Sequence, residues 1–247
     1  MLETRGLNKN FGALRVAVDI DFVLRAGARH ALIGPNGAGK TTFVNLITGS
    51  LAPTAGRVLL GGEDITGLGQ AERVKRGIAR TFQITTLFRG LTVLENLYIP
   101  VSGRVGAAAR VWRPAGRRRD IIDEALNLLE MLKLQADAAK PVRELAYGRQ
   151  RLVEIAVALG LKPKVLLLDE PAAGVPSAES HIILDVIAGL PPEIAVLIIE
   201  HDMDVVFRFA ERITVMVQGG VLMEGTPAEV GADARVREVY LGERRDV

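Results

Sequence analysis

Apolar and polar positions follow two different rhythms along this chain. Near the N-terminus they alternate. Residues 2–7 and 17–24 read as strands, the second with Asp19 and Asp21 set between apolar neighbours. Residues 57–60 form a further short candidate, followed by the turn pair Gly61 and Gly62. Alternation places one face on a core and the other in water, so an antiparallel sheet is expected on the N-terminal side. Later candidates are continuous apolar runs at 30–33, 165–168, 195–199 and 213–217. Such runs suit a central sheet covered on both faces. Between them the period changes to that of a helix. Ile121, Ile122, Ala125, Leu128, Leu129 and Leu132 recur at helical spacing, as do Leu152, Ile155, Ala156 and Leu159. The pattern predicts one α/β unit over 1–247. Its core comprises 1–85 and 161–247 with the antiparallel subdomain, and 86–160 form a helical insertion. No internal repeat or low-complexity tail is visible.

Composition narrows the class. With 247 residues and 49% hydrophobic content, the chain can build a large core. It has no cysteine, which excludes disulfides and thiolate metal sites. A formal net charge of +2 gives no general case for nucleic acid. There is no run of 18 apolar residues, so no membrane span is expected. The opening Met1-Leu2-Glu3-Thr4-Arg5 is unlike a secretory signal. A cytosolic protein, or one peripheral to a membrane-spanning partner, is expected. One segment departs from the average. From Asn96 to Arg119 there is no acidic residue, while Arg104, Arg110, Arg113, Arg117, Arg118, Arg119 and the single tryptophan Trp112 fall inside it. It reads as a solvated loop, or as a contact for anionic headgroups or an acidic partner surface.

The chemistry concentrates at a few strand ends. Residues 34–42 read Gly-Pro-Asn-Gly-Ala-Gly-Lys-Thr-Thr and fit the phosphate-binding pattern G-x-x-x-x-G-K-[ST]. A strand candidate precedes the loop, and a helix over 41–48, closed by Gly49, follows it. Glycines let backbone N–H groups wrap around an anion at the helix N-terminus. Asn36, Gly37, Ala38, Gly39, Lys40, Thr41 and Thr42 are the candidate nucleotide contacts. Lys40 would add a charge on the β- and γ-phosphates, and Thr41 a hydroxyl for Mg²⁺. The run 165–168 ends in Asp169 and Glu170. Asp169 is assigned to Mg²⁺, directly or through water, and Glu170 to accepting a proton from an attacking water. The run 195–199 leads to Glu200-His201-Asp202. His201 would contact the γ-phosphate or position the water, at the sheet end where ligands of open α/β sheets collect. His30 and His181 lack such a setting and read as structural.

In this order the motifs resemble the nucleotide-binding subunit of an ATP-binding cassette transporter, over essentially the whole length. The resemblance implies an α/β P-loop NTPase core of RecA-like form, an N-terminal antiparallel β-subdomain and an inserted helical subdomain. By it, Gln83 in Arg80-Thr81-Phe82-Gln83 is the Q-loop glutamine serving Mg²⁺ and catalysis, and Phe11 is the aromatic that stacks on adenine. Leu145-Ala146-Tyr147-Gly148-Arg149-Gln150 resembles the Leu-Ser-Gly-Gly-Gln motif that binds ATP across a dimer. Here Ala146 replaces the serine, Tyr147 the first glycine, and Arg149 stands where glutamine is usual. Arg149 is expected to compensate with its guanidinium. After Glu170, Gly174-Val175-Pro176-Ser177 replaces the usual Gly-Leu-Asp-Pro.

The Ala-Tyr-Gly form, Glu170-Pro171-Ala172-Ala173-Gly174, Glu200-His201-Asp202-Met203 and Val239-Tyr240-Leu241-Gly242-Glu243 resemble the branched-chain amino acid importer ATPases. Urea or amide importers and lipopolysaccharide exporters are the neighbouring alternatives, and a soluble non-transport ATPase of the same family is the alternative from another class. A GTPase would need an Asn-Lys-x-Asp motif, which Asn8-Lys9-Asn10-Phe11 lacks. A small-molecule kinase would not need the Tyr147–Gly148 motif or the histidine strand. The resemblance implies ATP and Mg²⁺, transmembrane permease subunits, a second ATPase subunit, an indirect substrate-binding protein outside the membrane and no nucleic acid. It places the chain on the cytoplasmic face of the inner membrane.

Overall fold

The computed structural model describes residues 1–81, 87–106 and 118–242. Strands β1 (Leu2–Phe11) and β2 (Leu14–Leu24) form a long hairpin, then β3 (Arg29–Ile33) leads into α1 (Lys40–Thr48). Next come β4 (Ala55–Leu60), β5 (Glu63–Asp64), α2 (Gln70–Arg76) and β6 (Ile78–Arg80). Three helices follow, α3 (Val93–Arg104), α4 (Arg119–Met131) and α5 (Tyr147–Leu159). The chain then returns to the sheet through β7 (Val165–Asp169), α6 (Ser177–Ala188), β8 (Ala195–Ile199), α7 (Met203–Phe209) and β9 (Arg212–Val217). It closes with β10 (Gly220–Gly225), α8 (Pro227–Ala232) and α9 (Ala234–Gly242).

Two sheets result. The antiparallel one has the order β2-β1-β4-β5, and the larger one β10-β9-β3-β8-β7-β6. In the larger sheet β9, β3, β8, β7 and β6 pair in parallel, and β10 is antiparallel to β9. The continuous apolar runs have a direct explanation here. Alternate residues of one strand enter two different cores. Ala31, Ile33, Leu166, Leu168, Val196 and Ile198 pack with the inserted helices α3–α5 and with α6. Leu32, Val165, Leu167, Ala195, Leu197 and Ile199 pack with α1 and the antiparallel sheet. With both faces covered, β8 has no polar position, β7 has only Asp169 at its cleft end, and β3 has only Arg29 and His30 at the opposite end.

The N-terminal hairpin runs further than the alternation predicts. Beyond residue 7 the pairing of β1 with β2 shifts register repeatedly, down to Phe11 opposite Leu14. Each shift moves side chains between faces, so the pattern fades although the ladder continues. The helical insertion starts cleanly at Thr92, whose side chain accepts from the Glu95 N–H in a capping box. Arg104 pairs with Glu124 at 2.5 Å and Arg118 with Asp120 at 2.7 Å, so these two arginines of the basic segment have acidic partners. Arg119 is exposed at the start of α4, and the remaining members Arg110, Arg113 and Arg117, with Trp112, lie outside the described residues. No helix among the described residues is long and apolar enough to cross a membrane.

Candidate active site

The loop between β3 and α1 is set by sterics before any ligand chemistry. Gly34 has φ 153°, Gly37 φ 77° and Gly39 φ 97°. A Cβ at Gly34 would collide with the Met216 carbonyl oxygen on β9, and one at Gly39 would lie 2.6 Å from the Val16 carbonyl oxygen. The loop is therefore pressed against β2 and β9 at positions where only glycine fits. Gly39 caps α1 in the left-handed conformation and no side chain accepts from the first turn, so those N–H groups face the cleft. The Lys40 ammonium donates to the carbonyl oxygens of Gly34 at 2.5 Å and Pro35 at 3.0 Å, which folds it over its own loop. The far end of α1 is held by a residue with no motif signature. Fully buried Arg73 of α2 donates to the carbonyls of Leu46 and Ile47, both at 2.7 Å, and so caps the helix from outside.

The loop shares a cleft of about 310 Å³ with the ends of β7 and β8. Val16, Asn36, Gly37, Ala38, Gly39, Lys40, Thr41, Thr42, Asp169, Glu170 and Ile199 line it. The parallel register pairs Asp169 with Ile199, which brings the β7 carboxylates beside the β8 exit. Glu170 has φ 47°, unusual for a residue with a side chain, and its N–H donates to the Ile199 carbonyl at 2.9 Å. His201 Nδ1 stands 3.6 Å from Glu170 Oε1, with the imidazole 66% exposed. Asp169 is differently placed. Its Oδ2 accepts from Arg80 Nη2 at 2.6 Å, and Arg80 Nη1 donates to Asn45 Oδ1 on α1 at 2.7 Å. Among the described residues no group of three or more His, Cys, Asp or Glu converges as a metal site. One carboxylate and one hydroxyl, Asp169 and Thr41, on a cleft with a phosphate loop suit Mg²⁺, a hard ion that takes few protein ligands beside phosphate oxygens.

Sequence patterning singled out neither Arg80 nor Glu200, because a lone charge at a strand end carries no periodic signal. Glu200 is 2% exposed and accepts from the Ala172 N–H at 3.4 Å. Burial pushes its pKa up to about 7, against smaller opposing effects of the Ala172 N–H and of His201. The native state thus keeps a proton that the unfolded chain releases above its ordinary value of 4.5. Stability from this group is present at low pH and is lost as pH rises towards about 7. Glu200→Gln should remove a downward slope of roughly 3 kcal/mol over that window. Denaturant unfolding of the variant and the parent at matched pH values checks this, and equal slopes would contradict it.

Residues 17–173 match the family model for the ABC transporter, and residues 221–246 match that for the branched-chain amino acid ATP-binding cassette transporter. The chain belongs to the ABC transporter family. It is 38% identical over 250 residues to the high-affinity branched-chain amino acid transport ATP-binding protein BraF of Pseudomonas aeruginosa, covering 98% of both chains. A crystal structure of the ADP conformation of an ABC transporter's ATP-binding cassette superposes with a TM-score of 0.87 at 34% identity, over 98% of each chain. A dimeric structure of a bacterial ABC transporter cassette superposes with a TM-score of 0.77 at 26% identity, over 92% of this chain and 99% of that one. As an ABC cassette the chain is an α/β P-loop ATPase.

The other cassette motifs lie apart from the cleft of their own chain. Phe11, 51% exposed at the end of β1, is outside the cleft lining and carries the Lys9 ammonium 5.1 Å from its ring centroid. Ala146, Gly148 and Arg149 line a separate hollow of about 170 Å³ with Leu152, Ile182 and Ile183. Tyr147 opens α5, 41% exposed, with the Arg151 guanidinium 5.0 Å from its ring centroid. A Cβ on Gly174 would lie 3.3 Å from Tyr147 Cε1, so the two segments that depart from the usual cassette pattern touch each other. Pro176 caps α6, an extended position that proline suits.

Arg149 differs from its expected role. Its guanidinium pairs with the buried Asp137 carboxylate and donates to the Lys133 carbonyl at 3.0 Å. Burial alone would raise Asp137, yet hydrogen bonds from Lys140 and Arg149 outweigh it and hold the acid below its usual range. A carboxylate in the helical insertion holds the charge expected on phosphate, so Arg149 braces the start of α5. Gln83 lies outside the described residues. Burial pushes His30 down to about 4, its Nε2 is 2.8 Å from Thr214 Oγ1, and exposed His181 meets Arg208.

Proposed function

We propose that this cassette is the ATP-hydrolysing subunit of an importer for branched-chain or related hydrophobic amino acids, peripheral to the cytoplasmic face of the inner membrane. The convergence of Lys40, Thr41, Asp169 and Glu170 on one cleft carries the hydrolytic part. The import part is supported by the C-terminal family match at 221–246 and by the branched-chain amino acid transport named for the P. aeruginosa relative.

Two cassettes close on two ATP molecules. In each site the loop N–H groups and Lys40 hold the phosphates, and the adenine stacks on Phe11. Thr41 and Asp169 would hold Mg²⁺, which would supply charge neutralisation at the β- and γ-phosphates. Glu170 takes a proton from the attacking water, and His201 with Gln83 orients that water and the γ-phosphate. The segment 146–149 of the second subunit covers the nucleotide. Its placement at the start of α5, away from its own cleft, supports that division, because the helix N-terminus is then available to an anion in trans. ATP favours the closed dimer by binding it better than the open one, and hydrolysis removes that bias. The helices α3–α5 pass the motion to the permease subunits.

Co-expression with candidate permease subunits tests this reading. A retained complex, whose ATPase rate rises when a branched-chain amino acid and its binding protein are supplied, is the expected result. A response only to urea, amides or lipopolysaccharide, or no association with any permease, would overturn the assigned cargo or the transport role.

A further inference from the structure

We propose that Arg80 is a built-in counter-cation for Asp169 that keeps divalent metal off this carboxylate until a nucleotide brings it. The proposal rests on the assignment of Asp169 to Mg²⁺ made above. The ion pair is close and nearly dry. Arg80 Nη2 and Asp169 Oδ2 are 2.6 Å apart, with side-chain exposures of 10% and 9%. The guanidinium is also fixed in place. Nη1 donates to Asn45 Oδ1 at 2.7 Å, so one side chain on β6 ties β7 to the helix that follows the phosphate loop. The strand register supports it from behind, since Arg80 pairs with Leu167 and the Thr81 N–H donates to the Leu167 carbonyl at 3.0 Å.

The electrostatic consequence follows from permanence of charge. A guanidinium stays protonated at every accessible pH, unlike an ammonium, so Asp169 is always accompanied by a positive charge. A carboxylate this buried would otherwise attract any divalent cation to its open side. With Arg80 against it, the pair is neutral, one oxygen is engaged, and an incoming metal also meets repulsion from the guanidinium. Lys40, which lines the same cleft, adds to that repulsion and Glu170 offsets it, so two cations and two carboxylates leave the cleft with no net pull on a metal. Only the phosphates of ATP bring enough negative charge to reverse the balance. Arg80 therefore acts through Asp169, as a positioning residue that makes metal binding conditional on nucleotide.

Mn²⁺ serves as the probe, its free concentration read by electron paramagnetic resonance with the full nucleotide-free chain. Arg80→Gln should bind Mn²⁺ about tenfold more tightly than the parent chain. Arg80→Lys keeps a charge there and should stay within about twofold. Arg80→Met carries the same expectation as Arg80→Gln and replaces it if circular dichroism shows the glutamine variant unfolded. Equal Mn²⁺ affinity in the folded neutral variant and the parent overturns the role of Arg80. The double variant Arg80→Gln, Asp169→Asn should lose the gain. A gain that survives there overturns the role of Asp169 instead, so the two failures are distinguishable.

Discussion

Glu170→Gln should lower ATP turnover by about 10²–10⁴-fold while ATP binding persists. The two side chains have nearly the same shape, so the change removes one capacity, that of accepting a proton. The setting favours this reading of the residue. Glu170 stands at the cleft rim with 27% of its side chain exposed, reachable by water, and its backbone is fixed by the Ile199 carbonyl in a left-handed turn. The neighbouring Asp169 is occupied by Arg80, and Glu200 is buried against the Ala172 N–H, so neither is as well placed to meet a water. Single-turnover hydrolysis with size-exclusion chromatography checks the prediction. The variant should bind ATP and accumulate as a closed dimer. Turnover at the parent rate would remove Glu170 from the role of base.

The second large effect is steric. Gly34→Ala should cost about 4 kcal/mol of stability and more than about 100-fold in ATP affinity. Gly34 sits where β3 leaves the sheet, one residue after Ile33 pairs with Val215 of β9. Its φ of 153° and the Met216 carbonyl directly in the path of a Cβ leave no room for a side chain. Relief requires β3 to part from β9 or the loop to rotate, and rotation turns the phosphate-facing N–H groups away. Gly37→Ala is the control. That glycine also has positive φ, 77°, but nothing lies within 4 Å of its would-be Cβ, so only about 1 kcal/mol of backbone strain is expected. Denaturant unfolding and ATP titration of both variants measure the contrast. Equal losses at the two positions would show that conformation, and not the approach of β9, sets the cost.

Much of this protein is legible in its residues alone, because its motifs are local. A phosphate loop needs consecutive glycines and a lysine. A buried parallel strand needs an unbroken apolar run, and the run ends where a charged residue can reach a ligand. The placing of residues 36–42, Asp169 and Glu170 on one cleft follows from those reasons, as do the two sheets. Periodicity weakened where register shifts carried β1 and β2 on to Phe11 and Leu14, and it was silent on β6, three residues long.

The tertiary structure alone decided the partners of the charged side chains. Nothing in the spacing of Arg80 and Asp169, or of Arg149 and Asp137, says that they meet. The first pair depends on the β6–β7 register, and the second on the packing of the insertion against the start of α5. An isolated charge is compatible with water, a phosphate or an acid, and burial makes the choice by raising the cost of leaving it unpaired. That is why Arg149, expected on a phosphate, is paired with Asp137, and why the Glu200 carboxyl is pushed up to about 7. The sequence by itself determined the nucleotide fold and the residues available for its chemistry. Only the three-dimensional arrangement determined which of their charges are already neutralised before a ligand arrives, because electrostatic pairing depends on distance and desolvation that the order of residues does not encode.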